Sequence, residues 1–356
     1  MTIKNLPKTT SQYLLSEQKG FDSLELQHDV PIPALGDHDI LVQIQAVSLN
    51  YRDLIIAKGS YPFPVKVPIV PGSDAAGNVL ATGAKVTQFS TGDKVCTLFN
   101  TLHQAGPITA QAVASGLGGA LDGTLRQYAV FPETALVAAP SNLTPTEAGT
   151  LTCAPLTAWN ALYGLDSKAL KPGQTVLTQG TGGVALSAVQ FAVAAGATVI
   201  ATTSSPAKRD LLKSLGATHV LNYRDDPNWG ATAKRLSPDG LGVDHVIEIG
   251  GPNTMNQSLQ AVKPEGVISV IGFVGGAASE KQPSTLDALT YLCTIRGLLV
   301  GSRAQFVEMN RAIEACNIHP VVVEKVFAFE QLREAYQYQW DQKHTGNVVV
   351  HLGRLQ

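Results

Sequence analysis

The residues whose types and spacing could do chemistry gather first in one segment, TVLTQGTGGVALSAVQFAVAAGATVIATTSSPAKR, which runs from Thr175 to Arg209. An apolar run ends near Gln179, Gly180-Thr181-Gly182-Gly183-Val184-Ala185 follows, and a stretch of small and apolar residues continues to Ala195. The spacing predicts a strand, a tight turn and a helix. In such a unit the first glycine permits the turn and the second lets backbone approach a pyrophosphate, while a small third residue, here Ala185, lets helix and sheet pack closely. Free N–H groups and the positive end of the helix dipole would hold the phosphates. A G-x-G-x-x-G/A match by itself is weak in a chain with 33 glycines and also fits a plain packing turn. The strand before, the helix after and the further strand beyond make dinucleotide binding the better reading.

Which dinucleotide depends on the end of the second strand, because NAD binders place an acidic residue there, about 20 positions past the glycines. Here that place reads Thr202-Thr203-Ser204-Ser205, with Pro206, Lys208 and Arg209 behind it. No carboxylate would repel a 2′-phosphate, Ser204 can hydrogen-bond one, Lys208 can neutralise one, and Tyr223 after the next strand can stack on or bond the same end. These features predict NADPH. The plainer reading of Ser205-Pro206 is a helix cap with proline at the first position and solvated cations behind it.

The elements that must position these groups divide the chain. The first ~135 residues read as β-rich and irregular: Asp39–Val47 alternates apolar and polar positions, and Pro31, Pro33, Pro62, Pro64, Pro68 and Pro71 punctuate the rest. From about Pro140, short apolar runs at Thr175–Leu177, Thr198–Ala201, His219–Leu221, His245–Ile249, Val267–Ile271 and Ile295–Val300 alternate with helix-length segments. That pattern predicts a doubly wound parallel sheet. A helix around Gln305–Ala315 follows, and then a last alternating run, Gly346–Leu352, which resembles the first region again. The expected class is α/β: a nucleotide-binding domain over 140–303 inserted into a β-rich domain made of 1–139 and 304–356.

Composition removes other classes. Lys and Arg number 26 against 28 Asp and Glu, a formal charge of −2 with no basic run, so nothing attracts nucleic acid or an anionic membrane. Between Lys171 and Lys208 the chain carries no Asp, Glu, Lys, Arg or His, yet glycines and hydroxyl residues interrupt it too often for a membrane span. A second stretch, from Lys94 to Asp122, holds only Cys96 and His103 as titratable groups. Cys96, Cys153, Cys293 and Cys316 lie too far apart for a disulfide framework or a zinc ribbon. The first residues lack the pattern of a secretory signal, and a cytoplasmic protein is expected.

Taken in order, LNYRDLIIAKGSYP, VPGSDAAGNV, TGDKV, DGTLRQYAVFP, TCAPLTAWNAL, GTGGVA, LGATHVLNY, VIGFVGG, GSRAQF and TGNVVV resemble the medium-chain dehydrogenase/reductases over nearly the whole chain. The resemblance implies a GroES-like catalytic domain with an inserted Rossmann domain, and hydride transfer between nicotinamide and a carbonyl, an alcohol or an activated C=C. It also implies cofactor contacts at Thr157, Gly180, Gly182, Gly183, Val184, Gly250, Gly272, Phe273, Ser302 and Arg303. Backbone at Gly272 and Phe273 would bond the carboxamide, and Arg303 would meet a phosphate or serve as a surface residue. Homodimers formed by edge pairing near Ile295–Val300 are common in the family.

The departures carry most of the functional reading. Where zinc-dependent members have an early Cys, the His of Gly-His-Glu and a later Cys, this chain has Asn50, Gly72-Ser73-Asp74 and Cys153. One surviving thiol does not make a tetrahedral site with an open position, so no metal is expected; Asp74 with Cys153 and His103 is the rearranged alternative. The four-cysteine lobe is replaced by the neutral 95–121 stretch, read as an apolar flap. Without a Lewis acid to stabilise an alkoxide, reduction of an already activated substrate is easier. Asn50-Tyr51-Arg52-Asp53 and Gly59-Ser60-Tyr61-Pro62 resemble segments of zinc-free quinone oxidoreductases and enone reductases. The resemblance places Asn50 and Tyr61 in the nicotinamide pocket as oxyanion donor or proton relay, with Asp53 beside them as a catalytic or a structural carboxylate. Ile55 stands where a second tyrosine is often found, and Gly346-Asn347 replaces the closing Gly-Lys. The expected activity is NADPH-dependent, zinc-independent reduction of an enone or quinone; an alcohol dehydrogenase or carbonyl reductase, and an NADPH-binding protein without turnover, are the alternatives.

Overall fold

The structure, a computed structural model, describes residues 6–272 and 283–353. It forms two compact units: residues up to Ala154 together with those from Ser302 onward, and Pro155–Gly301.

In the first unit a two-stranded antiparallel pair, Thr9–Leu15 and Leu24–Pro31, accompanies a seven-stranded sheet. Its central strand is Asp39–Leu49. One edge of that strand pairs with Ala76–Thr82, and the other is shared in tandem, Tyr128–Pro132 covering Asp39–Gln43 and Val348–His351 covering Ala46–Leu49. Ile40, Leu41, Val42, Ile44, Ala46, Val47, Ser48 and Leu49 of this strand are buried, while Asp39, Gln43 and Gln45 keep partial exposure, so the end that leads to Asn50 is the fully buried one.

The unit boundary falls fifteen residues later than the composition shift at Pro140 suggested (154 − 139 = 15). The physical reason is local bonding: the Thr152 hydroxyl donates to Thr97 O at 2.7 Å, the Cys96 thiol to Ala148 O, and the Cys153 amide to Asp74 Oδ2. The second crossing lies at Gly301/Ser302, because the Arg303 amide donates to His103 O and the Arg303 guanidinium to Leu136 O.

The second unit is a six-stranded sheet, and every pairing in it is parallel. The strands lie in the order His219–Asn222, Thr198–Thr203, Thr175–Gln179, Val243–Glu248, Val262–Val270, Thr294–Gly297. Val176, Leu177, Val199, Ile200, Val246, Ile247 and Ile268 are fully buried, as strands covered on both faces by crossover helices must be. Strand order reverses between Thr175–Gln179 and Val243–Glu248. Ligands of open α/β sheets bind beyond the carboxyl ends of strands at such a reversal. Among the described residues no helix is long and apolar enough to cross a membrane.

Candidate active site

Two groups of residues, one in each unit, carry chemistry. In the second unit, Gly180 takes φ of 79°, a left-handed turn that suits glycine, and its amide donates to Thr202 O. Gly182 then caps the helix Gly183–Ala194, with no side chain bonding the first-turn N–H groups. A Cβ placed on Gly180 or Gly182 would meet nothing within 4 Å, so the space before those donors is open, as an approaching pyrophosphate requires. Ala185, Ala188 and Ala192 are buried to 0% exposure and bring the helix close to the sheet. The residues present therefore fit a dinucleotide.

At the end of the second strand, Thr203 accepts the Tyr223 and Ser205 amides, through its carbonyl and hydroxyl respectively. Pro206 opens a short 3-10 helix, and Ser205 makes no side-chain cap. Lys208 is half-buried and burial lowers its pKa, whereas Tyr223 is exposed. Ser204, Lys208 and Tyr223 thus follow the ends of adjacent strands, Thr198–Thr203 and His219–Asn222.

A network that the sequence reading missed stands at the strand reversal. Glu248, fully buried at the end of Val243–Glu248, accepts Gln179 Nε2 at 2.8 Å and the Gly251 amide at 2.9 Å, and also the Ser258 and Thr254 hydroxyls. Gln179 Oε1 in turn accepts the amides of Ile249 and Gly250 at 3.1 Å. The carboxylate so fixes the turn containing Gly250 to the residue that precedes the glycine-rich loop. The signal was available: an acidic residue closing an otherwise apolar strand, in VIEIGG. Gly272 ends the described part of the next strand region, its amide reaching Glu248 O at 3.4 Å. Phe273 lies outside the described residues. Thr157 is buried in the helix Ala154–Tyr163.

In the first unit, Asn50 ends the central strand and precedes the helix Tyr51–Ala57. Its buried amide nitrogen Nδ2 faces the Asp74 carboxyl, whose pKa the Asn50 side chain lowers by hydrogen bonding, and has no other partner. Asp53 Oδ2 accepts the Asn50 backbone amide at 2.8 Å, and Oδ1 stands 3.7 Å from Arg52 Nη1, an ion pair without a hydrogen bond. Asp53 is 2% exposed. Asp53 thus caps the helix through Oδ2 and balances Arg52 through Oδ1, as the structural one of the two roles expected for it would have it. Tyr61 packs partly buried against the core, its ring 5.4 Å from that of Phe63, and burial raises its phenol pKa while Arg52 opposes the rise.

Asp74 is fully buried. The Ser73 hydroxyl donates to Oδ1 at 2.7 Å and the Cys153 amide to Oδ2 at 2.9 Å, yet desolvation prevails and pushes the carboxyl up to about 7. Cys153 is partly exposed. His103 is buried, with Nε2 within hydrogen-bond distance of Gly106 O, so it closes its own loop. The donor set does not fit a zinc ion: Ser73 and Asp74 are bonded to each other, Asn50 offers a neutral amide, and among the described residues no three His, Cys, Asp or Glu side chains converge.

Arg303 donates from Nε to Leu136 O at 3.0 Å and from Nη2 to Gln88 at 2.6 Å, both in the first unit. Ser302 accepts the Gln305 amide and caps the helix Arg303–Ala315, so its hydroxyl also has a structural task.

Comparison with known proteins places this pair of units in a class. Residues 36–141 match the alcohol dehydrogenase GroES-like domain, and 183–315 match the zinc-binding dehydrogenase family. The chain belongs to the medium-chain dehydrogenase/reductases, oxidoreductases that bind a nicotinamide cofactor and act on small molecules. Its relatives include a zinc-type alcohol dehydrogenase-like protein of Schizosaccharomyces pombe, 47% identical over 94% of this chain and 96% of that protein. A quinone oxidoreductase of Lama guanicoe is 28% identical over 85% of this chain and 84% of its own. A crystal structure of a candidate alcohol dehydrogenase from Sinorhizobium meliloti 1021 covers 98% of this chain and 100% of its own, with 37% identity and a TM-score of 0.88.

Proposed function

We propose that this protein is an NADPH-dependent, zinc-independent reductase of conjugated carbonyl compounds, enones or quinones. The observation that carries the reading is the buried Asn50 amide, with only the Asp74 carboxyl beside its Nδ2, at the place where zinc-dependent relatives put a metal ligand. An amide donor there would bond a carbonyl oxygen as negative charge develops on it. Bound NADPH supplies a hydride equivalent. Gly180, Gly182 and the first turn of Gly183–Ala194 would hold its pyrophosphate, and Ser204, Lys208 and Tyr223 its 2′-phosphate end. Asn50, with Tyr61 as second donor, would stabilise the enolate oxygen, and the α-carbon would take its proton from water. Tyr61 suits a donor's role, since burial keeps its phenol protonated at neutral pH.

A conjugated substrate needs less activation than a simple carbonyl, which suits a site furnished with amide and phenol donors and not with a Lewis acid. The relatives' names favour a second reading, reduction of aldehydes or ketones. NADPH consumption with 2-cyclohexenone and 1,4-benzoquinone beside simple aldehydes separates the two: turnover of aldehydes alone sinks the C=C reading. Metal analysis of the purified protein tests the other half, and about one zinc per chain would refute it. A homodimer in the cytoplasm completes the proposal. The edge strand Thr294–Gly297 and its neighbourhood support a dimer, because Leu286, Leu289, Leu292 and Ile295 are exposed.

A further inference from the structure

We infer that Arg52 is the positioning residue of this site, its guanidinium holding the Tyr61 phenol and the wall from Phe99 to Gly119 in a single arrangement. The inference deepens the proposed function and rests on its assignment of Tyr61 as a donor. Arg52 is 9% exposed in the helix Tyr51–Ala57. Nη1 donates to Leu117 O at 2.8 Å. The guanidinium carbon lies 4.4 Å from the Phe99 ring centroid and 5.3 Å from that of Tyr61. A buried cation needs compensation for lost water, and here it comes from one carbonyl, two aromatic rings and Asp53 at 3.7 Å. Nε finds no partner. Three separated pieces of chain, the helix, the Tyr61 loop and the 99–119 segment, therefore meet on one rigid planar group.

Two consequences follow from that geometry. The positive charge favours negative charge on the Tyr61 oxygen and offsets part of the rise caused by burial. The guanidinium also needs the room left by Gly119, where a Cβ would stand 2.8 Å from Nη2. A methyl group at 119 would push the guanidinium without removing its charge or touching Asn50, Asp53 or Tyr61.

The test uses the full chain and the variants Arg52→Met, Arg52→Lys and Gly119→Ala. Amide hydrogen exchange over 115–123 reads the wall: Arg52→Met and Gly119→Ala should each speed exchange about tenfold, the loss of one charge-assisted hydrogen bond. Phenolate absorbance in a pH titration, taken as the difference between each protein and the same protein with Tyr61→Phe, reads the phenol. Its pKa should rise by at least about half a unit in Arg52→Met and return towards the parent value in Arg52→Lys, which keeps the charge. A purely structural arginine would loosen the wall and leave that titration unmoved. Unchanged exchange in both Arg52→Met and Gly119→Ala overturns the clamp, and an unmoved Tyr61 titration in Arg52→Met overturns its action on the phenol. Neither readout needs turnover, so a protein that reduces only aldehydes would defeat the enone reading and leave this one to be decided by the variants.

Discussion

Asp74 Oδ2 accepts the backbone amide of Cys153 at 2.9 Å, so a buried carboxyl is fastened to the residue that stands at the later zinc-ligand position of relatives. The bond is an acceptor's, and it holds the chain between Thr152 and Ala154 in place. Desolvation nevertheless raises the carboxyl to about 7.

That raised value fixes a pH dependence. An aspartate in the unfolded chain ionises near 3.8, and ionising Asp74 in the fold is opposed until about 7. Stability linked to this group is complete below about pH 4 and is lost as pH rises towards 7, by at most about 4 kcal/mol. Asp74→Asn lacks that loss. Thermal unfolding from about pH 5 to about pH 8 should show the variant gaining on the parent as pH rises, and a gap that stays constant would contradict the assignment.

Two glycines should behave oppositely. A Cβ on Gly123 would fall 1.9 Å from Gly72 O, a backbone atom that cannot step aside, while one on Gly182 meets nothing. Gly123→Ala should lower the melting temperature by several degrees, as an overpacked site costing about 1–3 kcal/mol would. Gly182→Ala should melt within about two degrees of the parent and bind NADPH at least about tenfold more weakly, because its methyl group occupies the open approach to the helix N-terminus. Calorimetry and fluorescence titration check both.

The 2′-phosphate site is tested by charge. Lys208→Glu should weaken NADPH by about ten- to thirtyfold, with NADH changed by less than about threefold. Equal losses for the two cofactors would remove Lys208 from that site.

Glu248 offers a test of the turn it organises. Glu248→Ala leaves Gln179, Thr254, Ser258 and the Gly251 amide short of an acceptor, at a cost of about 3 kcal/mol. A drop in melting temperature of about 6–12 °C is expected, with weaker cofactor binding at temperatures where the variant is folded. A melting temperature within a degree of the parent would show that those donors find other partners.

The fold was legible where period and punctuation are strong. All six parallel strands were located by apolar runs, because burial on both faces leaves little room for polar residues, and Gly180 to Ala185 announced the turn by glycine alone. The site was legible in part. The resemblance singles out Asn50 and Tyr61 but not their local partners, since hydrogen bonds such as that from the Asn50 amide to Asp53 depend on helix-end geometry that no spacing rule resolves. For a related reason an arginine after a strand-end glycine reads as a phosphate ligand or a surface residue, and only the fold shows its bonds to Leu136 O and Gln88. Glu248 is marked in the sequence only by its place at the end of an apolar strand, and the four donors that converge on it, from Gln179, Gly251, Thr254 and Ser258, are brought together only by the fold.

The shared edge of the strand Asp39–Leu49 has a consequence for the order in which the protein can be made. Its stretch Ala46–Leu49 is completed only by Val348–His351, whereas every strand of the parallel sheet has been synthesised once Gly297 has been added. During synthesis the inserted unit can close first, and the β-rich unit must wait, with its central strand open on one side, for nearly the last residues of the chain. A stop codon just before Val348 would therefore damage the domain encoded first and leave the one encoded later with all its strands.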